Sequence, residues 1–159
     1  MSEPRERVPA PAEARARRLR APLLVTLWAL LAIEAAGGLV ISFARLAAGA
    51  TPGIALHVVA GFALTLAWAA YQWTHWHRVA PWRPRLDYVL GLIGASSMLL
   101  ALASGFALAP AWWNARDAAT APPYPAGLSG AHNVMSMFVL TFVGAHLFAV
   151  LHRAARARI

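Results

Sequence analysis

Residues 131–148, AHNVMSMFVLTFVGAHLF, place His132 and His146 in a stretch with no charged side chain. A run this long and this apolar is the length that crosses the ~30 Å hydrocarbon layer of a bilayer as a helix. The rest of the 159-residue chain repeats the pattern, with 60% hydrophobic residues and no cysteine. Between Arg20 and Arg45 the only charge is Glu34, and positions 46–77, 88–115 and 118–152 carry no Arg, Lys, Asp or Glu. Four membrane-spanning helices are predicted, near 22–47, 52–77, 87–109 and 129–152. Pro22, Pro52 and Pro110 stand at their ends, where proline starts or stops a helix. Thr51 and Ser129 read as N-caps of the second and fourth. Connections this short imply an all-α, up-down-up-down bundle over 22–153. It is flanked by a basic tail at 1–21 and a second at 154–159.

The net charge of +8 suggests a nucleic-acid partner until its distribution is read. All 14 basic residues are arginine. Arg5, Arg7, Arg15, Arg17, Arg18 and Arg20 precede the first span. Arg78, Arg83 and Arg85 fall between the second and third, and Arg153, Arg156 and Arg158 follow the fourth. Only Arg45 and Arg116 lie on the opposite side. This is the positive-inside bias of a multi-pass protein in the cytoplasmic (inner) membrane, with both termini in the cytoplasm. Topology and contact with anionic membrane lipid account for the charge, so no nucleic-acid role is expected. The segment before the first span has no apolar core of its own and the span is too long for a signal-peptide h-region, so the tail reads as uncleaved. Without cysteine there are no disulfides, thiolate-held iron–sulfur clusters or covalently attached c-type haem.

All six histidines fall in or at the ends of the second and fourth spans. Ionisable groups inside a span are costly, face the bundle interior and mark function. At about 100° and 1.5 Å per residue, His132 and His146 lie within about 40° of one face and about 21 Å apart along it. His57 and His75 are separated by five whole turns, about 27 Å. His77 and His152 point elsewhere and sit beside Arg78 and Arg153 at the boundary. In an up-down-up-down bundle the second and fourth helices run in the same direction. His57 and His132 then meet near the outer surface, and His75 and His146 form the inner pair. Two facing imidazoles can hold a haem iron on both axial sides, a coordination suited to electron transfer. Counted from Thr51 and Ser129, the inner pair disagrees in depth by about 10 Å. His77, or Met98 of the third helix, is an alternative inner ligand, and a single outer haem is another outcome. A proton relay through the histidines competes with the haem reading.

With these residues in view, the chain resembles the four-helix, membrane-integral b-type cytochromes, such as the cytochrome b subunits of respiratory formate dehydrogenases and NiFe hydrogenases. The resemblance rests on HNVMSMFVLTFVGAH in the last span and LHVVAG at the start of the second. It implies that His132 and His146 each ligate one haem b, with His57 as the outer partner. Formate-dehydrogenase-type subunits take the inner partner from the first helix, which has no histidine here, so His75 must substitute. The function implied is electron transfer between an extracytoplasmic redox subunit and membrane quinone, as a subunit of an oxidoreductase in preference to a stand-alone enzyme.

Glu34, the one carboxylate inside a span, reads either as a proton carrier facing haem or quinone or as a packing residue bonded to a neighbouring helix. Gly37, Gly38, Gly61, Gly91, Gly94, Gly105 and Gly144 serve close helix packing or clearance for a flat cofactor. Trp112, Trp113 and Tyr124 of the long outer loop read as interfacial anchors or as a docking surface. Two other functions fit parts of the pattern. One is a haem-modifying enzyme resembling heme A synthase, which EAAGGLV before LHVVAG suggests, although Ile54 stands where that family's motif has glutamate. The other is a cofactor-free transporter or assembly factor moving protons through His and Glu34.

Overall fold

The computed structural model describes residues 21–79, 85–117 and 126–156. They form four helices: α1 (Pro22–Ala48), α2 (Ile54–Val79), α3 (Leu86–Asn114) and α4 (Ala126–Arg156). Each contains a stretch of 24 to 29 residues long and apolar enough to cross a membrane. At 1.5 Å per residue these stretches extend about 36–44 Å, more than the hydrocarbon thickness. The chain therefore has the make-up of a multi-pass membrane protein. The tail before Ala21, the loop residues 80–84 that include Arg83, residues 118–125 with Tyr124, and residues 157–159 lie outside the described residues.

The helix ends differ from the sequence reading in ways that matter for depth. Proline has no backbone N–H and was expected to end α3, yet Pro110 lies inside it and the helix continues to Asn114. Near a helix end a lost backbone bond is tolerated, and the closing turn is held by the Ala115 N–H donating to Ala111 O at 3.2 Å. α4 begins at Ala126, three residues before Ser129, so Ser129 is not its N-cap. The Ser129 hydroxyl instead accepts a hydrogen bond from Arg45 Nη1 at 3.2 Å. α2 begins at Ile54, and Thr51 contributes its carbonyl, which accepts from the Ile54 N–H at 3.4 Å. α1 stops at Gly49, whose φ of 65° is the left-handed conformation glycine adopts without strain.

Neighbouring helices run antiparallel. Along α1 and α2, Ile41 packs with Ile54, Gly38 faces His57, and Glu34 faces Gly61. Along α3 and α4, Gly105 faces His132, Gly94 faces Val143, and Gly91 faces His146. Close backbone approach is concentrated within these two pairs, with a looser seam between α2 and α3. The bundle is thus two helix hairpins. α2 and α4, one from each, run parallel on either side of a cleft.

Two apolar layers join the hairpins. Leu27, Leu64, Met98, Ala101 and Val139 form the middle layer. Ile41, Ile54, Leu108 and Trp112 close the end nearest Arg45. Trp112, expected at the interface as an anchor, is 7% exposed inside this layer, with the Arg45 guanidinium 5.8 Å above its ring. Trp113 stays exposed, with Arg116 over its ring. At the opposite end Arg153 of α4 pairs with Asp87 of α3, and Arg85 Nε lies 3.9 Å from the same carboxylate. A half-exposed pair of this kind contributes about 1 kcal/mol or less, so it sets register more than stability.

The middle layer should carry most of the packing energy. Leu64 is 3% exposed while Leu66, two residues on, is 75% exposed. Leu64→Ala is expected to cost on the order of 2–5 kcal/mol, and Leu66→Ala within about 0.5 kcal/mol. Thermal unfolding of the two variants in detergent checks this, with a clear loss of midpoint for the first alone.

Candidate functional site

Two imidazole pairs bridge the cleft between α2 and α4. The His57 and His132 ring centres are 6.3 Å apart, with planes at 83°. The His75 and His146 ring centres are 6.5 Å apart, with planes at 89°. The depth conflict expected for the second pair comes from the assumed helix starts. With α4 already helical at Ser129, the His75 and His146 rings meet at nearly the same separation as the first pair.

What holds each ring is as informative as what it faces. His132 Nδ1 lies 3.0 Å from the Ala101 carbonyl and 3.1 Å from Ser104 Oγ. His146 Nδ1 lies 2.6 Å from the Asp87 carbonyl. A carbonyl can only accept, so in both rings Nδ1 carries the proton, and in the neutral ring Nε2 carries the lone pair. His57 Nδ1 lies 3.0 Å from Glu34 Oε2, and His75 Nδ1 lies 3.3 Å from the Tyr71 hydroxyl, with the Tyr71 ring stacked alongside. In all four residues the described contact engages Nδ1.

Helix α3 has no histidine, yet it builds the seats for both rings of α4. Ala101 supplies the carbonyl for His132 and Gly105, one turn on, supplies room. A Cβ at Gly105 would stand 3.2 Å from that ring. Asp87 and Gly91 repeat the arrangement for His146, where a Cβ would stand 2.9 Å from the ring, closer than real Cβ contacts. Both seats are fourteen residues apart, as are the two histidines. The signal available in the sequence was therefore Gly-x13-Gly in α3 matching His-x13-His in α4. On the other hairpin a Cβ at Gly37 or Gly38 would fall 3.7 or 3.5 Å from His57. Gly91 and Gly105 clear space for imidazole rings, a Cβ at Gly37 or Gly38 would make ordinary contact, Gly94 admits the Val143 backbone and serves helix packing, and Gly144 faces open space.

The other candidates fall elsewhere. Met98 is buried in the middle layer, about two turns from the His146 level, so it does not stand opposite that ring as expected. His77 is exposed, its Nδ1 donating to the Trp73 carbonyl at 2.7 Å. His152 is exposed and stacked on Phe148. Glu34 lies against His57 of the next helix.

A largely apolar cavity of about 180 Å³ opens beside the first pair, lined by His57, His132, Glu34, Gly38, Gly105 and Met98 among others. Does the arrangement fit a haem? A metal–nitrogen bond of about 2 Å on each side, with about 1 Å from nitrogen to ring centre, puts the centres of two axial imidazoles about 6 Å apart. Both pairs have that separation. Among the described residues no three His, Cys, Asp or Glu converge on one point as a cage for a bare ion would need. Two imidazoles suit a metal whose remaining ligands come with it, as a porphyrin supplies them. The residues fit.

Gly91→Ala should push the His146 ring off the Asp87 carbonyl and cost about 1–3 kcal/mol by overpacking. Gly105→Ala should cost less, and Gly144→Ala nothing. Thermal midpoints and the ring ¹⁵N spectrum of labelled histidine, which reports the His146 Nδ1 proton, check the order.

No family model matches the chain, and neither a curated protein nor a solved structure is significantly similar to it.

Proposed function

We propose that this protein is a membrane-integral b-type cytochrome that carries electrons across the bilayer, with His57 and His132 holding one haem and His75 and His146 a second. The observation that carries this reading is the common arrangement of the four rings. Each has an oxygen within 3.3 Å of its Nδ1, and each stands opposite a partner at the separation expected of two ligands on one iron.

Haem b, if bound, would supply a one-electron couple, and a histidine pair holding it would leave no open position for oxygen chemistry. Everything else is the work of the chain. The carbonyls of Ala101 and Asp87 fix the tautomer of His132 and His146 and raise the basicity of the ligating nitrogen. The crossed ring planes follow from each ring having its own tether. The middle apolar layer separates the two sites and keeps water from between them. Trp112 and Ile41 cover the site nearer the end that the arginine distribution assigns to the outside. On this reading the electron partners are an extracytoplasmic redox subunit at that end and membrane quinone.

A proton relay fits these contacts less well. A backbone carbonyl accepts a hydrogen bond but cannot pass a proton on, and it is the partner of both rings of α4.

The reduced-minus-oxidised spectrum of purified protein should show a b-type band that carbon monoxide leaves unchanged. His146→Ala should remove about half of that band and His132→Ala the other half. Absence of the band from protein made in haem-replete cells would sink the proposal, and a carbon-monoxide-sensitive band would overturn the bis-histidine assignment.

A further inference from the structure

Three of the four rings have an unambiguous or sequence-local tether, and His57 is the exception. Its nearest polar neighbour is Glu34 of α1, with Nδ1 and Oε2 3.0 Å apart and both side chains less than one-fifth exposed. Yet His57 Nδ1 and Glu34 Oε1 are the buried polar side-chain atoms, among the described residues, that complete no hydrogen bond. The distance is that of a bond; the alignment is not. A buried donor or acceptor left unmade costs about 1–3 kcal/mol, and rotation of one ring about its Cβ–Cγ bond would relieve the donor.

We infer that Glu34 is the positioning residue of the outer site, accepting a hydrogen bond from His57 Nδ1 once the ring turns to present Nε2 toward His132. The surroundings are arranged for that turn. Gly37 and Gly38 leave the ring room on the α1 side, at 3.7 and 3.5 Å from where a Cβ would be. Gly61, one turn beyond His57, leaves the same room for Glu34, whose Oε2 would be 3.5 Å from a Cβ there. Across the cleft His132 is fixed by two acceptors, so the adjustable member of the pair is His57. Metal-bound imidazoles are usually oriented through the other ring nitrogen by a carboxylate or carbonyl, and Glu34 is a carboxylate 3.0 Å from His57 Nδ1. The inner pair has a phenol and a backbone carbonyl instead. The two sites thereby differ in the group behind one ligand, which gives the chain two electronically distinct positions.

This inference rests on the haem reading, but its test separates the two. Protein with ¹⁵N-labelled histidine is purified as wild type, Glu34→Gln and Glu34→Leu, and its ring spectrum is recorded in the reduced, diamagnetic state. Redox titration follows the absorbance of the same samples. His57 Nδ1 should be protonated and slow to exchange in the wild type. It should remain so in E34Q, whose amide oxygen still accepts, and lose that protection in E34L. One of the two titration steps should shift by at least tenfold in its equilibrium in E34L, about 59 mV for one electron, and by less in E34Q. The other step should stay in place. A wild-type His57 ring protonated at Nε2 would overturn the inference even if E34L fails to fold. So would an E34L protein whose ring signals and both steps match the wild type; its haem band would leave the function reading standing. Colourless protein would remove the function reading, and the ring spectrum would still decide the Glu34 contact.

Discussion

The hydrogen bond from an imidazole Nδ1 to an oxygen behind it is the constraint on which this bundle turns. An imidazole tethered at one nitrogen has the other in a fixed direction, and the four rings face one another in pairs across the cleft between α2 and α4. The two rings of α4 are tethered by carbonyls of α3, so the tight packing of that hairpin is what places them. Of the rings of α2, His75 has the Tyr71 hydroxyl at 3.3 Å, and His57 lies 3.0 Å from Glu34 without completing a bond. One hairpin therefore acts as a rigid wall and the other as a wall with some adjustment.

Packing and chemistry meet in the glycines. A bilayer gives helices no hydrophobic reason to associate, so close approach must come from small residues and interhelical hydrogen bonds. In α3 the same turn supplies both. A glycine lets a ring of α4 lie against the backbone, and the carbonyl one turn earlier bonds it. The gain in association and the orientation of a ligand-type nitrogen are then one event. Met98, Leu64 and Val139 fill the space between the two levels with apolar matter, so the levels stay separate.

Much of this was legible in the sequence, and what was not has physical causes. Four apolar runs gave four helices because hydropathy over a span is a strong signal. The phase of His57 with His75 and of His132 with His146 gave the faces, since the helical repeat is fixed. Axial stagger was not legible: Ser129 resembles an N-cap, but α4 starts a turn earlier and Ser129 serves Arg45 instead. Pro110 resembles a stop, yet α3 continues through it. Trp112 looked like an interfacial anchor because composition does not say which face of an all-apolar helix turns inward. The role of α3 was missed because its message lies in glycines and carbonyls, which carry no chemistry until a partner is set against them. Glu34 was singled out, but its partner depends on how α1 and α2 align.

The central claim is that each of the two imidazole pairs encloses one haem iron. Haem per polypeptide, from pyridine haemochrome absorbance against quantitative amino-acid analysis of protein purified from haem-replete cells, tests it most directly. Two haems b per chain is the result this account predicts. A chain that folds and purifies with none would contradict it.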